Sequence, residues 1–92
     1  MSGFKKPMPL QLKRVETASQ SSTWQAKFES MEAFRMKLFL PENQVSLEFG
    51  SDITVHFRDN KHSYQFDSTV LSEREGEFIY IRKPKVIYKR RL

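Results

Sequence analysis

The chain has 92 residues, a hydrophobic fraction of 38%, twelve aromatic residues and a formal net charge of +5. That is enough for one small domain with a modest core, and too apolar for a disordered chain. There is no cysteine, which excludes disulfides and thiolate zinc sites, and no apolar stretch long enough for a membrane-spanning helix or a signal peptide.

The opening segment, MSGFKKPMPLQ, is expected to be mobile over residues 1–9, and the whole N-terminal segment 1–22 partly so. Within it, Leu10, Leu12 and Val15 are spaced to form a first strand, and residues 18–23 (ASQSST) read as a small polar loop. Trp24, Ala26 and Phe28 then alternate with Gln25, Lys27 and Glu29, the period of a half-buried strand. Phe34, Met36, Leu38 and Leu40 continue the same period up to Pro41. Residues 29–40 are also rich in helix formers, so Trp24 to Leu40 has a second reading as one helix. The period of two in both halves favours strand, turn and strand.

Residues 47–52 form a turn, with Gly50 at a position that needs unusual backbone angles. Ile53, Val55 and Phe57 mark the next strand, and Tyr64, Phe66, Ser68 and Val70 its hairpin partner across Asp59-Asn60-Lys61-His62. Glu73-Arg74-Glu75-Gly76 is a further polar turn. Phe78-Ile79-Tyr80-Ile81 follows, Pro84 interrupts, and Val86-Ile87-Tyr88 resumes. Proline between two strand-like pieces marks an edge, a bend or a crossing. Ile79, Ile81, Val86 and Ile87 are expected among the anchors of the last element. The sum is an all-β fold: a small antiparallel barrel of six or seven strands.

No constellation for catalysis stands out. His56 and His62 flank the hairpin without a third ligand spaced near them. The acids fall at turns or on solvent faces, and three glycines make no phosphate cradle. The reading is a non-enzyme that binds no metal. Trp24, Phe28, Phe57, Tyr64, Phe66 and Phe78 could serve as stacking platforms, but their alternation with polar residues favours core packing. Phe39, Phe49 and Tyr88 are less clearly inward, and one of them is expected to be exposed.

The charge is concentrated. Arg82, Lys83, Lys85, Lys89, Arg90 and Arg91 put six cations and no acid into residues 82–92, so the rest of the chain carries a net −1. A solvated tail is one reading. Guanidinium forks also bind phosphate bidentately and stack on flat rings, so a ligand with phosphate and purine would suit them.

From Trp24 onward the chain resembles the N-terminal accessory domain of flagellar brake proteins of the YcgR type, which precedes a PilZ domain. The likeness is carried by FRMKLFLP (34–41), VSLEFGSDITVHF (45–57), YQFDSTVL (64–71) and FIYIRKPKVIYKRR (78–91), in that order and spacing, over about three quarters of the chain. The resemblance implies a split-barrel-like accessory domain over residues 23–88, with residues 89–92 opening a linker to a PilZ domain beyond this chain. In the family, cyclic di-GMP is bound by an RxxxR motif at the start of the PilZ domain and by a D/N-x-S-x-x-G motif on its barrel. Arg91 matches the first arginine of RxxxR and Arg90 the basic residue before it, with Lys83, Lys85 and Lys89 as a supporting basic linker. The second arginine would fall beyond Leu92, and the D/N-x-S-x-x-G motif is absent.

The implied function is a cytoplasmic, non-catalytic regulatory module of a cyclic di-GMP effector. It packs against a PilZ domain and contributes to partner recognition, such as with a flagellar motor protein, in motility control. It takes no cofactor alone, and cyclic di-GMP only when joined to a PilZ domain. The alternative is a stand-alone small barrel that binds nucleic acid through its basic C-terminus.

Overall fold

The computed structural model describes residues 8–17, 20–41, 47–71 and 75–91, with the backbone alone for 15–17 and 20. Seven strands are present: β1 (Met8–Thr17), β2 (Gln20–Met31), β3 (Arg35–Phe39), β4 (Asp52–Arg58), β5 (His62–Thr69), β6 (Phe78–Arg82) and β7 (Tyr88–Arg91). No helix occurs among the described residues, so residues 24–40 form strand, turn and strand. The strands make one antiparallel sheet in the order β6-β3-β2-β1-β4-β5-β7.

The sheet curls because β5 serves two neighbours. Its first half pairs with β7, from His62↔Arg91 to Gln65↔Tyr88. Just past its end, Val70 bridges Ile81 of β6, and the Leu71 N–H donates to the Tyr80 carbonyl at 2.8 Å. Six strands therefore bend round until the two ends meet at one narrow seam, and β7 flares away from it. The result is a split barrel, not a closed one.

One side of every long strand supplies the core. Leu10 and Leu12 of β1, Trp24, Ala26 and Phe28 of β2, Met36 and Leu38 of β3, Ile53 and Val55 of β4, Phe66 of β5, and Ile79 and Ile81 of β6 are all buried. Burial of this set is the main drive for folding, at roughly 25 cal/mol per Å² of apolar surface removed from water. Pro9 lacks a backbone N–H, and the β1–β4 register covers only residues 11–13, so proline falls outside that ladder.

Several expectations are corrected. The polar loop read over residues 18–23 is shorter: residues 20–23 belong to β2, with Thr23 opposite Lys13 and Ser22 opposite Arg14, and residues 18 and 19 lie outside the described residues. The barrel takes in β1, ahead of the boundary expected at residue 23; of the residues 1–9 expected to be mobile, Met8 and Pro9 open β1 and residues 1–7 lie outside those described. Phe34 is 87% exposed rather than inward. It occupies the β2–β3 turn, closed by the Glu32 N–H to Arg35 carbonyl bond and the 2.8 Å Arg35 Nε–Glu32 Oε1 pair, where strand alternation does not apply.

Val86 and Ile87 are 57% and 39% exposed and are not anchors. After Pro84 the chain crosses from β6 to the far half of β5, at the opposite edge of the sheet, where the described residues form no second layer. Strand β7 begins only at Tyr88, so Lys89, Arg90 and Arg91, expected to open a linker, are paired to β5. Gly50 and Gly76 have φ of +87° and +63°, the left-handed region that glycine adopts without penalty.

Candidate functional site

Strand pairing decides where each cation of the C-terminal segment goes. Arg90 lies opposite Ser63, and Arg91 opposite His62. Neighbours along a strand point to opposite faces, so the two arginines diverge. Arg90 shares the outer face with Arg58 and Ser63. Arg91 shares the other face with Lys89, which lies opposite Tyr64. The pair that looks like one cluster in the sequence is split by the pleat.

Arg90 and Lys89 line a shallow groove of about 950 Å³ that crosses β1, β4, β5 and β7 and reaches Gln25 of β2. Its floor is built by register. Gln25 faces Gln11, Gln11 faces His56, His56 faces Gln65, and Gln65 faces Tyr88, one residue from each of five strands. The adjacent row holds Arg58, Ser63 and Arg90. Arg58 and Arg90 give this face of the groove two cations, Lys89 borders it from the strand's other face, and no carboxylate lines it among the described residues. Tyr88 is 59% exposed there, as the sequence allowed for one of Phe39, Phe49 and Tyr88, and Phe49 is exposed as well.

His56 sits half-buried in the floor. Burial lowers its pKa below the ordinary histidine value, and the charge of Lys13 lowers it further. Neutral imidazole offers one donor and one acceptor, beside carboxamides that offer both. The floor can therefore hydrogen-bond a ligand of mixed polarity while the cations attract its charge.

Lys83 and Lys85 lie elsewhere. They border a second hollow of about 620 Å³ with Arg82, Asp52 and Asp67, so carboxylates offset part of the charge there. A third basic surface, on β3 and β6, is occupied from within. Arg35 lies 3.7 Å over the Tyr80 ring and Lys37 lies 4.3 Å over Phe78, whose edge meets Phe39 at 6.0 Å. Those cations cap the half-buried rings instead of leaving them open for stacking. Trp24, Phe28 and Phe66 are core, while Phe57 stacks on Tyr64 at 4.8 Å at the β7 end of the core.

Around the β4–β5 turn, the Asp59 carboxylate accepts hydrogen bonds from Tyr64 Oη (2.7 Å), the Lys61 N–H (2.8 Å) and the His62 N–H (2.7 Å). These hold Asp59 down at a pKa of about 2, with the tyrosine as the largest cause. The network staples the hairpin that sets Arg58 opposite Ser63.

Among the described residues no group of three histidine, aspartate or glutamate side chains is placed to hold a metal ion. No helix there is long and apolar enough to cross a membrane. Arg58, Ser63 and the glutamines escape a sequence reading, and His56 is weighed there only as a metal ligand, although the polar phase of the alternation and the short β4–β5 loop carry the Arg58–Ser63 half of the arrangement. Compared with protein-family models, curated proteins and solved structures, the chain matches none of them.

Proposed function

We propose that this chain is a non-catalytic regulatory binding module whose contact face is the basic groove at β7. The observation that carries this reading is the asymmetry of charge. The groove holds Arg58 and Arg90 on one face with no lining carboxylate among the described residues, while the hollow beside Lys83 and Lys85 has two. Such a surface draws anionic partners and speeds their encounter.

The resemblance to flagellar brake accessory domains gives the reading its setting: a cytoplasmic cyclic di-GMP effector, in which the barrel packs against a following PilZ domain and helps present a surface to a motor protein. In that setting Arg91, on the face opposite Arg90, reaches toward the second domain, and the dinucleotide site is shared between the two. Titrating cyclic di-GMP into this chain and into a version extended through a PilZ domain tests it. Tight binding by the extended form alone supports a shared site, and equal binding by both removes it.

Nucleic acid is the second reading, and the exposed Tyr88 ring beside the cations favours it. It requires affinity that falls steeply with salt and drops on deletion of residues 82–92. Absence of RNA or DNA binding at low salt eliminates it.

A further inference from the structure

Arg90 is one half of an arrangement that the chain completes by itself. Arg58 closes β4 and Ser63 is the second residue of β5, and the hairpin makes them direct cross-strand partners. Ser63 is in turn the direct partner of Arg90. Directly opposite residues share a face, and burial of Ile53, Val55 and Phe66 on the other phase makes this face the outer one. Two interstrand spacings, about 10 Å, separate the two arginine backbones, with a short hydroxyl side chain between them. Long flexible side chains at that separation can bring both guanidinium groups over the serine.

Arg35 is tied to an acid, Glu32, at 2.8 Å. Among the described residues Arg58 and Arg90 have no ion-pair partner, and no carboxylate lines their groove. Two like charges that flank one serine on the same face, with no ion-pair partner among the described residues, make a place for an external anion. Phosphate matches it: its tetrahedral oxygens accept from two guanidinium forks and one hydroxyl together. The adjacent row supplies the rest of a ligand. Gln65 carries a carboxamide that can donate and accept in one plane, and Tyr88 beside it presents an open ring face.

We propose that Arg58, Ser63 and Arg90 form a phosphate site complete within this chain, and that its ligand is a mononucleotide whose base lies over Gln65 and Tyr88. The proposal rests on the reading of the β7 groove as the contact face. It differs in consequence, because the chain binds without a second domain and Arg91, on the opposite face, is not needed.

The test uses the whole 92-residue chain at low salt, followed by NMR shift perturbation. The probes are inorganic phosphate, guanosine and adenosine 5′-monophosphates, the unphosphorylated nucleosides, and a short single-stranded oligonucleotide. The expected order is nucleotide above inorganic phosphate, with nucleosides inert. Arg58→Gln and Arg90→Gln each weaken nucleotide binding by about tenfold or more, the scale of a lost hydrogen bond to a charged group. Arg91→Gln leaves it within about twofold, and unchanged melting of all three variants shows that they fold.

An inert wild-type chain, an Arg58→Gln variant that binds normally, or binding of the oligonucleotide without the mononucleotide overturns the site. Should Arg90→Gln and Arg91→Gln abolish cyclic di-GMP binding by the extended form while Arg58→Gln does not, the site fails and the two-domain reading stands. Mononucleotide binding that depends on Arg58, with no gain on extension, has the reverse meaning.

Discussion

Ser68 donates its hydroxyl to the carbonyl oxygen of Arg82 at 2.8 Å, and the bond ties β5 to the end of β6 where the barrel stops closing. Among the described residues Ser68 is the one polar residue in the buried set. Its strand position otherwise calls for an apolar side chain, so the hydroxyl satisfies a carbonyl that the departing chain leaves without a sheet partner. Ser68→Ala is expected to lower unfolding free energy by about 1–3 kcal/mol, the cost of stranding that acceptor. The urea midpoint falls with the m-value unchanged, and amide exchange quickens over residues 82–88. An unaltered midpoint means that the seam holds without the serine.

Acid stability tracks the hairpin staple. The three hydrogen bonds to Asp59 favour its charged form and lower its folded pKa to about 2. The unfolded chain binds that proton more readily, so the staple stabilises the fold above the ordinary aspartate pKa of about 4 and loses its effect as pH falls toward 2. Tyr64→Phe removes the largest cause, and the Asp59 carboxyl is expected to titrate closer to its ordinary value. A carbon-detected NMR titration reads this directly. An Asp59 pKa unmoved in Tyr64→Phe assigns the shift to the two backbone donors.

Much of the fold is legible in the sequence because each strand has one wet and one dry face. Trp24, Ala26 and Phe28, or Ile53 and Val55, announce their burial through a period of two that any curled sheet preserves. The failures have two causes: a local turn that interrupts the alternation, and a tertiary setting that depends on which distant segment arrives. Phe34 continues the pattern in letters but sits in a turn. Val86 and Ile87 look like core residues, yet they stay 57% and 39% exposed in the segment after Pro84. The candidate site follows the same rule. Arg58 and Ser63 come together through a local hairpin and were within reach of a sequence reading. Arg90 joins them only through β5–β7 pairing, across more than twenty-five intervening residues. Adjacency misled in the other sense, since Arg90 and Arg91 are one cluster in a string and opposite faces in a strand.

Backbone strain is testable at one glycine. Gly50 holds φ at +87° while its N–H donates to the Val70 carbonyl at 2.9 Å, and an added Cβ would meet nothing within 4 Å. Any cost of substitution is therefore conformational rather than steric with neighbours. Gly50→Ala is expected to destabilise by about 1–2 kcal/mol, and Gly50→Asn by less, because asparagine tolerates the left-handed region. Thermal melting of the two variants checks the order. Equal losses would point to a contact on the turn rather than to its backbone angles.

The histidine in the groove floor reports on the ligand. Burial, then Lys13, lowers the His56 pKa below its ordinary value. Gln11 and Gln65 face it directly, with Lys13 and Asp67 diagonal to it on β1 and β5 and Arg58 on its own strand. With the folded pKa below the unfolded one, protonation favours the unfolded chain: the stabilising contribution is present above the ordinary value of about 6.5 and is lost as pH falls through the folded pKa. A phosphate held between Arg58 and Arg90 reverses the local field and favours the imidazolium, so saturating nucleotide is expected to raise the His56 pKa. By linkage, the protonated imidazole then strengthens binding in return. Following the imidazole resonances against pH, with and without nucleotide, separates this from the ligand's own second ionisation at about 6. His56→Gln removes the histidine's share of the acid-side gain in affinity. A His56 titration that ignores saturating nucleotide locates the phosphate elsewhere on the surface.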